Sequence, residues 1–333
     1  MRVVAAVDKF KGTATGAQVA AAVGSACWEL GHDCVELPMA DGGEGTLEAL
    51  GGANRTSTVT GPLGDPVLAE WRLSRGTAVI EMARASGLTL VGGAINNDAM
   101  AASTIGTGEL IDMALDAGAK KIIVCLGGSA TTDGGYGALR AIQGPHRLRS
   151  VQLLVACDVR TRFVDAAEVF GPQKGASPAQ VKLLTGRLRR LAQIYQHDYG
   201  VDVRDIDGTG AAGGIAGALV ALGGRLLPGF DLVADELDLH DAIAAADVVI
   251  TGEGYLDEQS FEGKVVGGVK AMAVAADKPV GAVVGDAAPE VAGRIEHVSL
   301  VEAYGTERAM NEPLWCIERA AATVLQRLTA PRS

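Results

Sequence analysis

Short acidic, lysine-bearing and glycine-rich runs recur in this chain at the ends of apolar stretches, and they are the residues with chemistry to offer. Residues 8–12 (DKFKG) follow the apolar run 2–7, residues 127–135 (GGSATTDGG) follow 121–126, and Asp158 follows 151–157. Residues 251–254 (TGEG) follow 247–250, and Gly285 with Asp286 follows 279–284. A glycine-rich turn between a strand and a helix can offer several backbone N–H groups to a phosphate, and Ser129, Thr131 and Thr132 add hydroxyls. The same run also reads as a plain strand-to-helix turn capped by Asp133. Residues 40–46 (ADGGEGT) set Asp41 and Glu44 three apart among glycines. That pair suits a metal with oxygen ligands or a general base, or else a cap for a helix starting near Thr46. Lys174 lies on the turn 171–175 (GPQKG), either as an anion contact or as a solvated turn lysine. Glu253 and Asp257 suit magnesium or a base, and Lys264 at a helix start suits a phosphate, with surface caps as the alternative.

Two other signals are weaker. Residues 208–213 (GTGAAG) match the GxGxxG spacing with Asp231 downstream, but the preceding run 202–207 is too polar for the central strand that a dinucleotide site needs. Close packing or a substrate loop explains those glycines better than NAD binding. His32, His146, His197, His240 and His297 have no metal-ligand spacing, and neither a Walker A sequence nor a Ser-His-Asp signature is present.

The elements that must position these residues are those of an α/β protein. Continuous apolar runs ending in small residues read as parallel strands buried on both faces, and in such sheets ligands sit outside the carboxyl ends. Residues 15–30 carry a helical pattern with Thr15 or Thr13 as N-cap, and 34–37 a second strand, giving a βαβ opening. Between 53 and 91 the texture changes: the strands 58–60, 67–73 and 77–81 are separated by gaps too short for a crossover helix, so they are antiparallel. This places a smaller mixed α/β domain, residues 51–95 with 201–239 as a possible addition, inside a parallel-sheet domain made of 1–50, 96–200 and 240–333. A helix over 108–117 returns the chain to the main sheet at Lys121, and polar helix 177–196 precedes a loop and helix over 208–224.

Composition bounds the partners. A net charge of -11 over 333 residues argues against nucleic acid or an anionic membrane surface, so an anionic substrate must be met by local cations, backbone amides or metal. Five cysteines without a CxxC pair suit a reducing cytoplasm, the N-terminus runs directly into a strand with no signal peptide, and no apolar run is long enough to span a membrane.

Taken in order, 8–12, 40–46, 81–88 (EMARASGL), 103–110 (STIGTGEL), 127–135, 156–158 (ACD), 170–176 (FGPQKGA), 210–214 (GAAGG) and 250–264 resemble the type-1 glycerate kinase family over nearly the whole chain. The resemblance implies two unlike α/β domains, one Rossmann-like and discontinuous, with an active cleft between them. It further implies ATP- and magnesium-dependent phosphorylation of D-glycerate, with 2-phosphoglycerate the favoured product. On that basis Gly127, Gly128, Ser129, Asp133 and Lys264 are assigned to the nucleotide, Asp41, Glu253 and Asp257 to magnesium, Lys11 and Lys174 to anions, and Asp158 to the base, with Asp8 also in the catalytic set. The chain departs from the family pattern at Lys9, at residues 160–162 (RTR), at Tyr255, and in a shorter segment after Ala138. Those departures support two alternatives: a kinase for another small hydroxy or sugar acid, and a nucleotide-binding protein without turnover.

Overall fold

Strand β1 (Arg2–Val7) has no wet face. Val3, Ala5 and Val7 enter one apolar cluster while Val4 and Ala6 enter another, so alternate side chains are buried on opposite sides of the sheet. The structure, a computed structural model, describes residues 1–330. Helix Gly16–Glu29 follows β1. Thr15 starts it: its hydroxyl accepts from Gln18 N at 3.2 Å, and the Gln18 carboxamide accepts from Thr15 N at 2.9 Å. The helix buries Val19, Ala20, Val23, Ala26 and Cys27 and delivers the chain to β2 (Asp33–Pro38), parallel to β1. The βαβ opening is therefore present as read.

A second sheet occupies the middle of the chain. Strands β3 (Arg55–Thr60), β4 (Pro66–Ser74) and β5 (Thr77–Glu81) pair antiparallel, as their short Pro- and Gly-bearing gaps require. Helix Ile105–Asp116 then crosses to β6 (Lys121–Cys125), which lies parallel to β5 with Thr77 opposite Lys121. Strand β7 (Gln152–Ala156) follows, and β8 (Arg225–Leu227) closes the order β3-β4-β5-β6-β7-β8. Helix Pro178–Tyr199 stands between β7 and β8, capped by a Ser177–Gln180 box and ended by Gly200 at φ +74°; it buries Leu184, Leu188, Ala192 and Tyr195 on one stripe.

Strands β9 (Val248–Leu256), β10 (Val280–Ala287) and β11 (Glu296–Ser299) return to β1 in an all-parallel sheet of order β11-β10-β9-β1-β2. The chain thus falls into two compact units, one made of 1–41, 48–50 and 230–333, the other of 42–47 and 51–229. This corrects the expected division. The apolar runs of 96–200 suggest the parallel domain, but β6 pairs with β5 rather than returning to the first sheet; of the possible addition 201–239, residues 201–229 do lie in the inserted unit and 230–239 do not. The inserted mixed unit takes in 96–229 and is the larger of the two. A second correction concerns β9 and β10, which run on through 251–254 and 285–286 instead of turning there. The glycines serve close strand contact: a Cβ on Gly252 would meet Val283 O at 2.3 Å, and one on Gly285 would meet Gly254 O at 2.3 Å.

The glycines at 208–213 do pack closely. A Cβ on Gly213, at φ +76°, would lie 1.9 Å from Thr131 O, whereas Gly118, at φ +80°, faces open space. Alanine at 118 is expected to cost about 1–2 kcal/mol through its left-handed backbone alone, and alanine at 213 about 2 kcal/mol or more beyond that. Chemical denaturation of the two purified variants measures the difference.

Candidate active site

In the first unit, the carboxyl ends of β1 and β9 bring acidic residues together. Asp8 directly follows β1, its N–H donating to Gly252 O at 2.9 Å, so it sits beside Glu253 on the neighbouring strand. The Asp8 carboxylate accepts from Lys9 N at 2.7 Å, and Lys9 Nζ lies 3.8 Å away. Burial nevertheless raises Asp8 to about 6; the charge of Asp41 pushes the same way, and Lys9 and Lys264 oppose it. Glu253 rises to about 7, again chiefly by burial, with Asp8 and Asp257 adding repulsion and Ser260 and Lys264 opposing. Its Oε1 is buried without a hydrogen-bond partner among the described residues, as is Thr251 Oγ1.

The other residues assigned to this edge take distinct places. Asp257 spends its carboxylate on a cap, accepting from Ser260 N at 3.1 Å and from Ser260 Oγ at 3.3 Å. Lys264 precedes helix Val265–Ala275, where its charge acts on Asp8 and Glu253. Lys11 is exposed, its backbone close beside Gly254. Tyr255 is also exposed.

In the second unit the run 127–135 leaves β6 and is braced from several sides. Leu88 N donates to Gly128 O and Ala130 N to Ser86 O, Asn97 Nδ2 donates to Ala130 O, and Tyr195 Oη donates to Gly134 O at 2.8 Å. Asp133 is a structural hub. Its Oδ2 accepts from Thr104 N, Thr104 Oγ1 and Gly137 N and its Oδ1 from Gly135 N, which joins the start of helix Ile105–Asp116 to that of helix Tyr136–Ala141. The cap reading of Asp133 thus describes its contacts. Gly127 and Gly128 are left partly open, while Ser129 is buried. Lys174 is neither solvated nor at the front of the turn: at 3% exposure, its Nζ donates to Ser129 Oγ at 2.7 Å and to Thr131 O at 2.6 Å. Burial pulls it down to about 7, with Asp133 partly opposing.

Asp158 stands exposed at the end of β7, its Oδ1 accepting from Gly229 N at 2.7 Å. Arg162, one of the unusual arginines, pairs with Asp207 at 3.1 Å. Glu81 escaped assignment, although it too ends an apolar strand. Its buried Oε1 accepts from Gly45 N and Leu47 N, both at 2.9 Å, and its Oε2 accepts from Arg84 Nε at 3.3 Å, so it pins the 42–47 loop. The second unit also has an open groove of about 1450 Å³ beyond Asp133, lined by Glu109, Asp112, Arg140 and Arg187 among others. Two of its acids are already engaged, Glu109 by Thr60 and Asp112 by Gln143 N and Arg147.

A braced glycine-rich turn in the second unit and strand-end carboxylates in the first are, each within its own unit, features that phosphoryl-transfer enzymes use. The sequence model of the glycerate kinase family matches residues 3–145 and 142–329, and the chain belongs to that family. It is 40% identical over 331 aligned residues to the glycerate 2-kinase of Escherichia coli K12, covering 87% of each chain. It is 42% identical over 325 to a glycerate kinase of Haemophilus influenzae, covering 86% of each. The fold matches a crystal structure from Salmonella typhimurium LT2 assigned as glycerate kinase 2, with a TM-score of 0.86 at 36% identity over 99% of this chain and 98% of the other.

The raised carboxyls make stability depend on pH. Because folded Glu253 holds its proton to about 7 and an unfolded glutamate only to 4.5, its contribution is fully present below pH 4.5 and is lost as the pH rises through 7. In metal-free buffer, Glu253→Gln is therefore expected to raise Tm by a few degrees at about pH 8 and to bring little change at about pH 4.5. Differential scanning fluorimetry across that range checks it.

Proposed function

We propose that this chain transfers the γ-phosphoryl group of ATP to D-glycerate, with magnesium, and that the 2-hydroxyl is the favoured acceptor. Family membership supports the reaction class, and the single observation that carries the site reading is the turn 127–129, which ends a buried strand with two open glycines. Such a turn offers backbone N–H groups to a phosphate without the bulk of a side chain.

The acidic edge of the first unit fits a cation. Glu253 Oε1 is a buried oxygen without a protein partner, and Asp41 lies near enough to act on Asp8. No group of three or more His, Cys, Asp or Glu among the described residues is arranged to hold a metal by itself. Magnesium commonly binds through one or two carboxylates and completes its shell with substrate phosphates and water, so Glu253 with Asp41 is the set that would hold it. Bound there, it would neutralise phosphate charge. Asp257, spent on its cap, would act on that set only through its charge.

Transfer requires the glycerate hydroxyl to lose its proton as its oxygen bonds to phosphorus and the bond from phosphorus to the ADP oxygen breaks. We assign the proton to Asp8, a half-buried carboxylate fixed by its position after β1 and by Lys9 N, in preference to the exposed Asp158, which holds Gly229 N. Lys11 and Lys264 are assigned to anionic groups of the substrate pair, and Gly127, Gly128 and Ser129 to nucleotide phosphates. Nothing in the positions of Lys9, Arg162 or Tyr255 favours a different acid, so D-glycerate is the first substrate to test, with tartronate and longer aldonates beside it.

Glycerate-dependent ADP release followed by phosphorus NMR of the product is expected to give 2-phosphoglycerate; 3-phosphoglycerate would overturn the regiochemistry, and silence on every acid would overturn the kinase reading. Asp8→Asn is expected to lower kcat by about two to four orders of magnitude with little change in ATP affinity. Asp158→Asn is expected to lower it less than about tenfold while reducing Tm, since asparagine keeps an acceptor for Gly229 N.

A further inference from the structure

The contacts of Lys174 separate it from the other lysines of the site. It ends the short segment Pro172–Lys174, and Asn97 Nδ2 clamps its carbonyl at 2.8 Å while also holding Ala130 O at 3.0 Å. Backbone and side chain are thus both tied to the run 127–135. Its ammonium donates to Ser129 Oγ and Thr131 O and lies 5.9 Å from the centre of the Phe170 ring, with no carboxylate in contact among the described residues. An ammonium has only protons to give. When Lys174 is protonated, Ser129 Oγ accepts from it, which leaves the hydroxyl proton of Ser129 for another partner, and Ser129 makes no other side-chain hydrogen bond among the described residues. Thr131 Oγ1 and Thr132 Oγ1 in the same run are buried and likewise without a partner. The run holds more polar capacity than the protein uses.

We propose that Lys174 acts through Ser129: by occupying the acceptor side of that hydroxyl it fixes Ser129 as a hydrogen-bond donor to a phosphate oxygen at the 127–129 turn, so Lys174 is a positioning residue that touches no substrate. This rests on the reading of that turn as the phosphate site. A donor whose oxygen already accepts from an ammonium is polarised and gives a stronger bond to an oxyanion. Burying a lysine without a carboxylate is costly, and a fixed donor is the return.

The test is a double-mutant cycle read by calorimetric titration with ADP, with adenosine as the control that lacks phosphates. Ser129→Ala and Lys174→Met are each expected to weaken ADP binding about tenfold or more, the scale of one hydrogen bond to a charged group. The double variant is expected to bind no more weakly than the worse single one, and adenosine affinity should not move. If Met at 174 fails to fold, Lys174→Leu, which likewise gives Ser129 no proton, takes its place, and the same non-additivity with Ser129→Ala is expected. Losses that multiply in the double variant, or wild-type ADP affinity in the folded Lys174 variant, overturn the proposal. An unchanged Ser129→Ala would remove the phosphate reading of the turn as well, while the kinase reading is decided separately by turnover on glycerate.

Discussion

A run of glycines cannot hold its own shape, and whatever 127–135 does depends on side chains that reach it from outside. Lys174, Asn97 and Tyr195 come to it from three separate stretches of the second unit, and Asp133 reaches out of the run itself to tie down the starts of two helices. The large helix Pro178–Tyr199 matters here through one hydroxyl at its far end, and the turn 171–175 through one ammonium. Because Lys174 and Tyr195 brace the run from buried positions, Gly127 and Gly128 stay partly open. Flexible residues are made rigid without being covered.

The first unit solves the same problem differently. There the functional groups are themselves the side chains at the strand ends, and the backbone makes room for them. Glycines within β9 and β10 let the two strands lie close, so Glu253 is carried on a paired strand between Val284 and the end of β1. Burial on this rigid edge disfavours their charged forms, and repulsion between the carboxylates adds to that, which is why Asp8 and Glu253 hold protons more tightly than ordinary acids.

Much of this was legible in the sequence. Apolar runs at 2–7, 121–126 and 151–157 are strands because four or five consecutive buried residues suit a sheet covered on both faces, and Thr15 with Gln18 announces a helix start by its capping chemistry. The strand ends held the chemistry, as parallel sheets require. Sheet membership was not legible, since β6 and β9 look alike as strings of Val and Ile, and only pairing tells which neighbour each has. Nor was the side of the turn from which Lys174 approaches, or which of the two readings of Asp257, cap or metal ligand, its contacts follow, because spacing along a chain does not report which atoms a side chain meets. Glu81 heads the run 81–88 but carries no assigned role in the sequence reading, although its position after an apolar run is the same signal that marks Asp8 and Asp158.

The sheet order of the first unit also sets a timetable. Strand β1 lies between β2 and β9, and Arg2 N bonds the carboxylate of Asp247, 245 residues later. At ribosomal rates of 5–20 residues per second, roughly 12 to 50 s separate the two partners during synthesis. Through that interval every strand of the second unit emerges before β9 does, so the second sheet can close while β1, apolar on both faces, still lacks one neighbour. The earliest strand made is among the last to be completed, and in the cell its exposed edge is the part of this chain most in need of shelter.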